Sequence, residues 1–205
     1  MTQQYTPDTG LVVVDMQHDF ADPSGALYVR GGEQLAAPIG REVEAATAAG
    51  AVVVFTQDWH RAHTPHFAQD GGIWPVHCVH DTPGAELVPG LLPSATTPDH
   101  LVRKGSGTED GYSGFSVVDL TTDRVRGTEL STVLDENGIM RVVVVGLAGD
   151  WCVAATAVDG VRLGYDVTVP LTLTRFVELE PGHTDAALGR MTDAGVTLVG
   201  DPVRT

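Results

Sequence analysis

The sequence predicts an α/β fold: one Rossmann-like, doubly wound, mainly parallel sheet with helices on both faces. Three observations predict it. Short β-branched runs recur along the chain, alanine-rich segments with helical spacing lie between them, and glycines close most of those segments. Strands that alternate with helices imply a parallel sheet joined by right-handed crossovers. A length of 205 residues suits one domain of this kind, with a core over about 11–199.

Gly10-Leu-Val-Val-Val-Asp15 opens the pattern as an apolar run ending in a carboxylate. Ala51-Val-Val-Val-Phe-Thr56, Met140-Arg-Val-Val-Val-Val-Gly146 and Asp166-Val-Thr-Val-Pro170 are alike, as strands buried on both faces should be. Residues 33–49 carry Leu35, Ile39, Val43 and Ala46 at helical spacing, with Gly50 as a stop. Leu101-Val-Arg103 reads as a further strand. Helices are expected at 128–136, at 150–163 ahead of Gly164, and at 181–194 ahead of Gly195, with Val196-Thr-Leu-Val199 as the last strand. Two stretches break the rhythm, 60–98 and 105–123, and read as long irregular loops. The first holds Phe67, Trp74 and five of the eight histidines, which argues for a functional loop.

Charge and composition exclude several partners. The net charge of −15 repels phosphate backbones and anionic lipid, so neither nucleic acid nor membrane is expected as a partner. No apolar segment approaches the roughly 20 residues of a bilayer span, and no signal-type leader is read at the N-terminus. A cytoplasmic location is therefore expected. Self-association is left open. The two cysteines, Cys78 and Cys152, are no disulfide framework, and among twelve basic residues a single one, Lys104, is lysine.

In a parallel sheet the site lies at the carboxyl ends of the strands. Asp15, Asp58 with His60, Lys104 and Cys152 all fall at such ends. Cys152 follows the glycine-flanked turn Gly146-Leu-Ala-Gly-Asp-Trp-Cys152, so the first turn of the next helix should hold it, where free N–H groups stabilise a thiolate or an oxyanion. Lys104 beside that thiol would lower its pKa, and an Asp within reach could take its proton. A second group, Asp58, His60, His66 and His77, offers nitrogen and oxygen donors for Zn, Mn or Fe(II), with His63, His80 and Cys78 as competitors.

Five segments in order then resemble the nicotinamidases among the isochorismatase-like cysteine hydrolases. They are Val13-Val-Asp-Met-Gln-His-Asp-Phe20, Thr56-Gln-Asp-Trp-His60 with His66, Trp74-Pro-Val-His-Cys78, Arg103-Lys-Gly105 with Tyr112-Ser-Gly-Phe115, and the turn ending at Cys152. The resemblance implies hydrolysis of nicotinamide to nicotinate and ammonia in pyridine-nucleotide salvage, through a thioester on Cys152. It implies Asp15 as proton acceptor and donor, Lys104 as its positive partner, and the N–H groups of Ala148 and Cys152 as oxyanion donors. One divalent ion (Zn, Fe or Mn) would be held by Asp58, His60, His66 and His77, and would orient the substrate ring rather than supply the nucleophile. Phe20, Trp74 and Tyr112 would wall the ring, and the Leu147-Ala148 peptide would be cis. Gly149, Trp151 and the segment Pro170-Leu-Thr-Leu-Thr174 depart from the commoner pattern of the family. Three other readings remain: an amidase for another heteroaromatic or N-acyl amide, a hydrolase whose metal activates water, and a non-catalytic metal-binding module.

Overall fold

The computed structural model describes residues 4–93, 97–107, 109–120 and 122–203. The strands are β1 (Thr9–Val14), β2 (Val52–Asp58), β3 (His100–Lys104), β4 (Glu109–Asp110), β5 (Ser116–Asp119), β6 (Arg124–Gly127), β7 (Arg141–Gly146), β8 (Asp166–Pro170) and β9 (Thr197–Val199). The helices are α1 (His18–Ala21), α2 (Ala36–Ala48), α3 (Glu129–Glu136), α4 (Cys152–Arg162) and α5 (His183–Ala194).

Six strands form one sheet in the order β3-β2-β1-β7-β8-β9, every neighbouring pair parallel. Side chains alternate across a strand, and β1 shows the consequence. Val12 and Val14 face one core, with Leu130 and Leu134 of α3, Val153 and Ala157 of α4, and Met191 of α5. Leu11 and Val13 face the other, with Ile39, Val43 and Ala46 of α2. Each such valine or leucine contributes about 1.5–3 kcal/mol on burial, and burial on both faces is why these runs show no polar alternation.

The mainly parallel, two-sided sheet agrees with the sequence reading. The 105–123 stretch does not, because it contributes to a second, antiparallel sheet ordered β4-β5-β6. Its strands are two to four residues long, too short to carry a period. Only their local antiparallel pairing defines them, as between Glu109 and Asp119 and between Asp119 and Arg124. Boundaries also shift: α2 begins at Ala36 behind a 3-10 turn at Gly32–Gln34, and α4 begins at Cys152 rather than Asp150.

Strand order reverses between β1 and β7, where successive connections depart to opposite faces. A crevice at the carboxyl ends of the strands is expected at such a switch point. No helix among the described residues is long and apolar enough to cross a membrane.

Candidate active site

Asp15 immediately follows β1, beside the end of β2, and has φ 46°, a left-handed conformation that a non-glycine residue adopts at a cost. Thr56 holds it there. Its hydroxyl accepts the Asp15 N–H at 3.2 Å and donates to the Asp15 carboxylate at 2.6 Å. Asp58 and Lys104, the last residues of β2 and β3, are paired in register. Gln17 clamps the Asp58 backbone, accepting its N–H at 2.9 Å and donating to its carbonyl at 2.7 Å.

Lys104 is 1 % exposed and its ammonium lies 2.8 Å from Asp15, 2.7 Å from Asp58 and 3.6 Å from Cys152 Sγ. Three protons meet three acceptors. That geometry answers why the one lysine stands here, since a planar guanidinium could not converge on three points from one nitrogen. Asp15, Asp58 and Cys152 also bring their donor atoms within 4.8 Å of one another. The ammonium already stands among them as the cation.

Burial alone would deprotonate Lys104, but the two carboxylates outweigh it and hold the pKa well above the ordinary lysine value. Burial pushes Asp58 up, and Lys104, His60 and His77 overcome it and keep the carboxyl ionised. For Asp15 burial wins, helped by the charge of Asp58, and its carboxyl lies above the usual range despite Lys104. Burial wins for Cys152 as well. Lys104 draws the thiol down, but desolvation and the two carboxylates leave it well above the normal thiol range. The expectation that Lys104 lowers the thiol's pKa is corrected in this respect: its pull is present and is outweighed. A neutral thiol therefore faces a carboxylate of raised basicity.

Cys152 is the first residue of α4, and the turn before it contains the cis peptide Leu147-Ala148. Gly149 donates its N–H to the Arg175 carbonyl, and Trp151 and Val153 donate theirs to Ala148. No described residue accepts the N–H of Ala148 or of Cys152. Cys152 opens α4, where first-turn N–H groups lack intrahelical partners, and Ala148 lies in the turn before it, so both N–H groups are available to an oxyanion.

His60, His66 and His77 form a buried cluster whose donor atoms lie within 4.8 Å of one another. His77 Nδ1 donates to the Pro75 carbonyl at 2.7 Å, and burial lowers its pKa to about 4, so the ring is neutral with Nε2 free. His66 Nδ1 is paired with Asp110, which orients that ring as a carboxylate commonly orients a ligating imidazole. His60 Nε2 is buried without any hydrogen-bond partner, 3.6 Å from Asp58. An orphaned buried nitrogen is costly, and a divalent cation would satisfy it. The donor set of three neutral-capable imidazoles and one ionised carboxylate fits such an ion. Gly105 must remain glycine, because its φ is +74° and a Cβ would come within 2.4 Å of His60 Nδ1.

The competitors lie elsewhere. His63 pairs with Asp70 and His80 with Asp81, both toward solvent, and Cys78 is a buried thiol whose backbone N–H is bound by Asp19. Asp58, His66, His77 and Cys152 line one cleft together with Phe20, Trp74, Tyr112, Trp151, Ala148 and Val177. Trp74 Nε1 donates to the Tyr112 hydroxyl at 3.0 Å, and Trp151 packs against both rings. Sequence reasoning left Thr56, Gln17 and Asp110 without roles. Thr56 could have been found by strand period, two residues before Asp58, whereas Asp110 sits on a strand that no local signal marks.

A thiol at a helix start beside a buried ammonium and a buried carboxylate of raised pKa, reached through an aromatic cleft, defines a cysteine-centred site on a parallel α/β fold. A family model, the isochorismatase domain, matches residues 9–200, and the chain belongs to that family. It is 40% identical to a nicotinamidase/pyrazinamidase of Mycobacterium tuberculosis over 92% of this chain and 97% of the relative. Two solved structures superpose closely. PnC1 from L. infantum, in complex with nicotinate, has a TM-score of 0.84 at 34% identity, covering 97% of this chain and 96% of that one. A pyrazinamidase of Pyrococcus horikoshii in complex with zinc has a TM-score of 0.81 at 34% identity, covering 95% and 100%.

Proposed function

We propose that this chain is an amidohydrolase that converts nicotinamide to nicotinate and ammonia, with Cys152 as nucleophile, Asp15 as proton carrier and Lys104 as their electrostatic partner. The observation that carries the reading is the convergence of Asp15 and Lys104 on Cys152, whose side chain lines the same cleft as His66, His77 and Asp58. Similarity to enzymes named nicotinamidases supports the substrate.

Asp15 takes the Sγ proton as the thiolate attacks the carboxamide carbon. Lys104 keeps its charge throughout and stabilises the single negative charge as it passes from the Asp15 carboxylate to Sγ, beside the ionised Asp58. The N–H groups of Ala148 and Cys152 hold the oxyanion. Asp15 returns its proton to the nitrogen, the C–N bond breaks, ammonia leaves and a thioester remains. Asp15 then removes a proton from water as its oxygen attacks the thioester, and collapse of the second oxyanion releases the acid and restores the thiol.

A divalent ion held by Asp58, His60, His66 and His77 would supply a Lewis-acidic point for the pyridine nitrogen, an orienting chemistry. Phe20, Trp74 and Tyr112 would flank the ring, Trp74 and Tyr112 fixed by their mutual hydrogen bond.

The test is ammonia release from nicotinamide by the purified protein, by Cys152→Ala, and by chelated and metal-repleted samples. Activity is expected to vanish in Cys152→Ala whatever the metal content, and in the wild type to vanish on chelation and return with metal. A metal-loaded wild type that releases no ammonia would defeat the substrate, and a variant retaining substantial activity would favour metal-activated water instead.

A further inference from the structure

The segment after β8 runs back along the turn that delivers Cys152. Thr174 Oγ1 donates to the Gly146 carbonyl at 2.7 Å, and the Gly149 N–H donates to the Arg175 carbonyl at 2.7 Å. The Asp150 carboxylate accepts the N–H groups of Val177 at 3.0 Å and Glu178 at 2.8 Å. Four hydrogen bonds thus lash residues 174–178 to residues 146–150. Its far end is tied to the start of α5, where the Glu178 carboxylate accepts from the Gly182 and Thr184 N–H groups. Val177 lines the cleft.

Between these bonds the buried Phe176 ring sits against Gly149. A Cβ at Gly149 would come within 2.5 Å of Phe176 Cε1, 2.7 Å of Cδ1 and 2.8 Å of Cζ. Gly149 is not in the left-handed region, unlike Gly146 with φ +111°. Glycine at 149 is therefore required by the ring and not by the backbone. Where the turn leaves β7 there is no room either, since a Cβ at Gly146 would meet the Val14 carbonyl oxygen at 2.1 Å. The turn that carries the free N–H groups of Ala148 and Cys152 is thus packed tightly at Gly146, where it begins, and at Gly149, in its middle.

We propose that Phe176 is a positioning residue for amide hydrolysis: seated on Gly149, its ring fixes the 147–152 turn at the height where the Ala148 N–H meets the oxyanion. The inference rests on the function proposed above. Oxyanion donors act only within about 2.7–3.1 Å of the charge that develops, and a displacement of about 1 Å can cost 10²-fold. The ring touches the turn rather than the substrate, so its removal should weaken the transition state and leave ground-state binding intact.

A double-mutant cycle in zinc-loaded protein tests this, comparing Gly149→Ala, Phe176→Ala and the pair. Ammonia release from nicotinamide and p-nitrophenolate release from p-nitrophenyl acetate are followed for each. Gly149→Ala is expected to lower kcat by about 10- to 100-fold with KM changed less than about twofold. Phe176→Ala should lower kcat by about tenfold, and the pair should be no worse than Phe176→Ala alone, because the new methyl enters the vacated space. Phe176→Leu, with a smaller loss in kcat, covers failure of the alanine variant to fold. Losses that multiply in the double variant, a loss carried by KM, or full kcat in Phe176→Ala would overturn the proposal. If the ester follows the cycle while wild type leaves nicotinamide intact, the substrate reading falls and the positioning role stands. A wild type that releases neither product removes both.

Discussion

Two polar clusters share this cleft, and they differ in whether the chain completes them. Around Lys104 every proton of the ammonium has an acceptor, in Asp15, Asp58 and Cys152. Around His60, His66 and His77 the match is incomplete, since one buried nitrogen has no partner and two rings are oriented from behind by Pro75 and Asp110. In the proposed mechanism the first cluster moves a proton with groups the chain already holds, and the second offers a donor set that fits a divalent cation. Asp58 belongs to both, with one oxygen on Lys104 and the other toward His60 and His77.

The sharpest way to break the comparison is to disable one cluster and read the other. Cys152→Ala should reduce ammonia release by about 10⁴-fold or more, while zinc binding measured by calorimetry stays close to wild type. Metal affinity that fell with the thiol would mean the clusters are not separable. Lys104→Met should abolish activity and also destabilise the fold by about 3–5 kcal/mol, because it strands buried carboxylates. Urea unfolding checks it, and an unchanged midpoint would show that Asp15 and Asp58 do not need the ammonium.

Asp110→Asn acts on the other cluster and should weaken metal binding by about 10- to 100-fold. With saturating metal its kcat should recover, and a kcat that stays low would give Asp110 a part in chemistry. The mildest effect is on pH. Because burial holds the Asp15 carboxyl above the usual range, the proton acceptor is present above that raised pKa and is lost as pH falls through it. The acid limb of kcat/KM should therefore lie above the ordinary Asp value of about 3.9, and a profile flat down to that value would contradict Asp15 as the base.

The same division governs what could be read from the chain alone. Asp15, Asp58, Lys104 and Cys152 were legible because each stands at or just beyond a β-branched run or opens a glycine-marked helix, and strand ends converge in any parallel sheet. His60, His66 and His77 were legible as a cluster within a loop too long to be a mere connection. The thiol's raised pKa was not legible, because it depends on how desolvation and two carboxylates together outweigh Lys104, groups brought in from the ends of three strands.

What the sequence by itself determined is the alternation of buried strands and helices, the edge of the sheet that carries chemistry, and the residue types set there. Those follow from local period and from topology, which act over a few residues. Tertiary structure alone decided that Asp110 on an unmarked strand orients His66, that Thr56 holds Asp15, and that Phe176 rests on Gly149. These pairs lie 44, 41 and 27 residues apart. No local signal links such partners, because the contact exists only once the chain has folded.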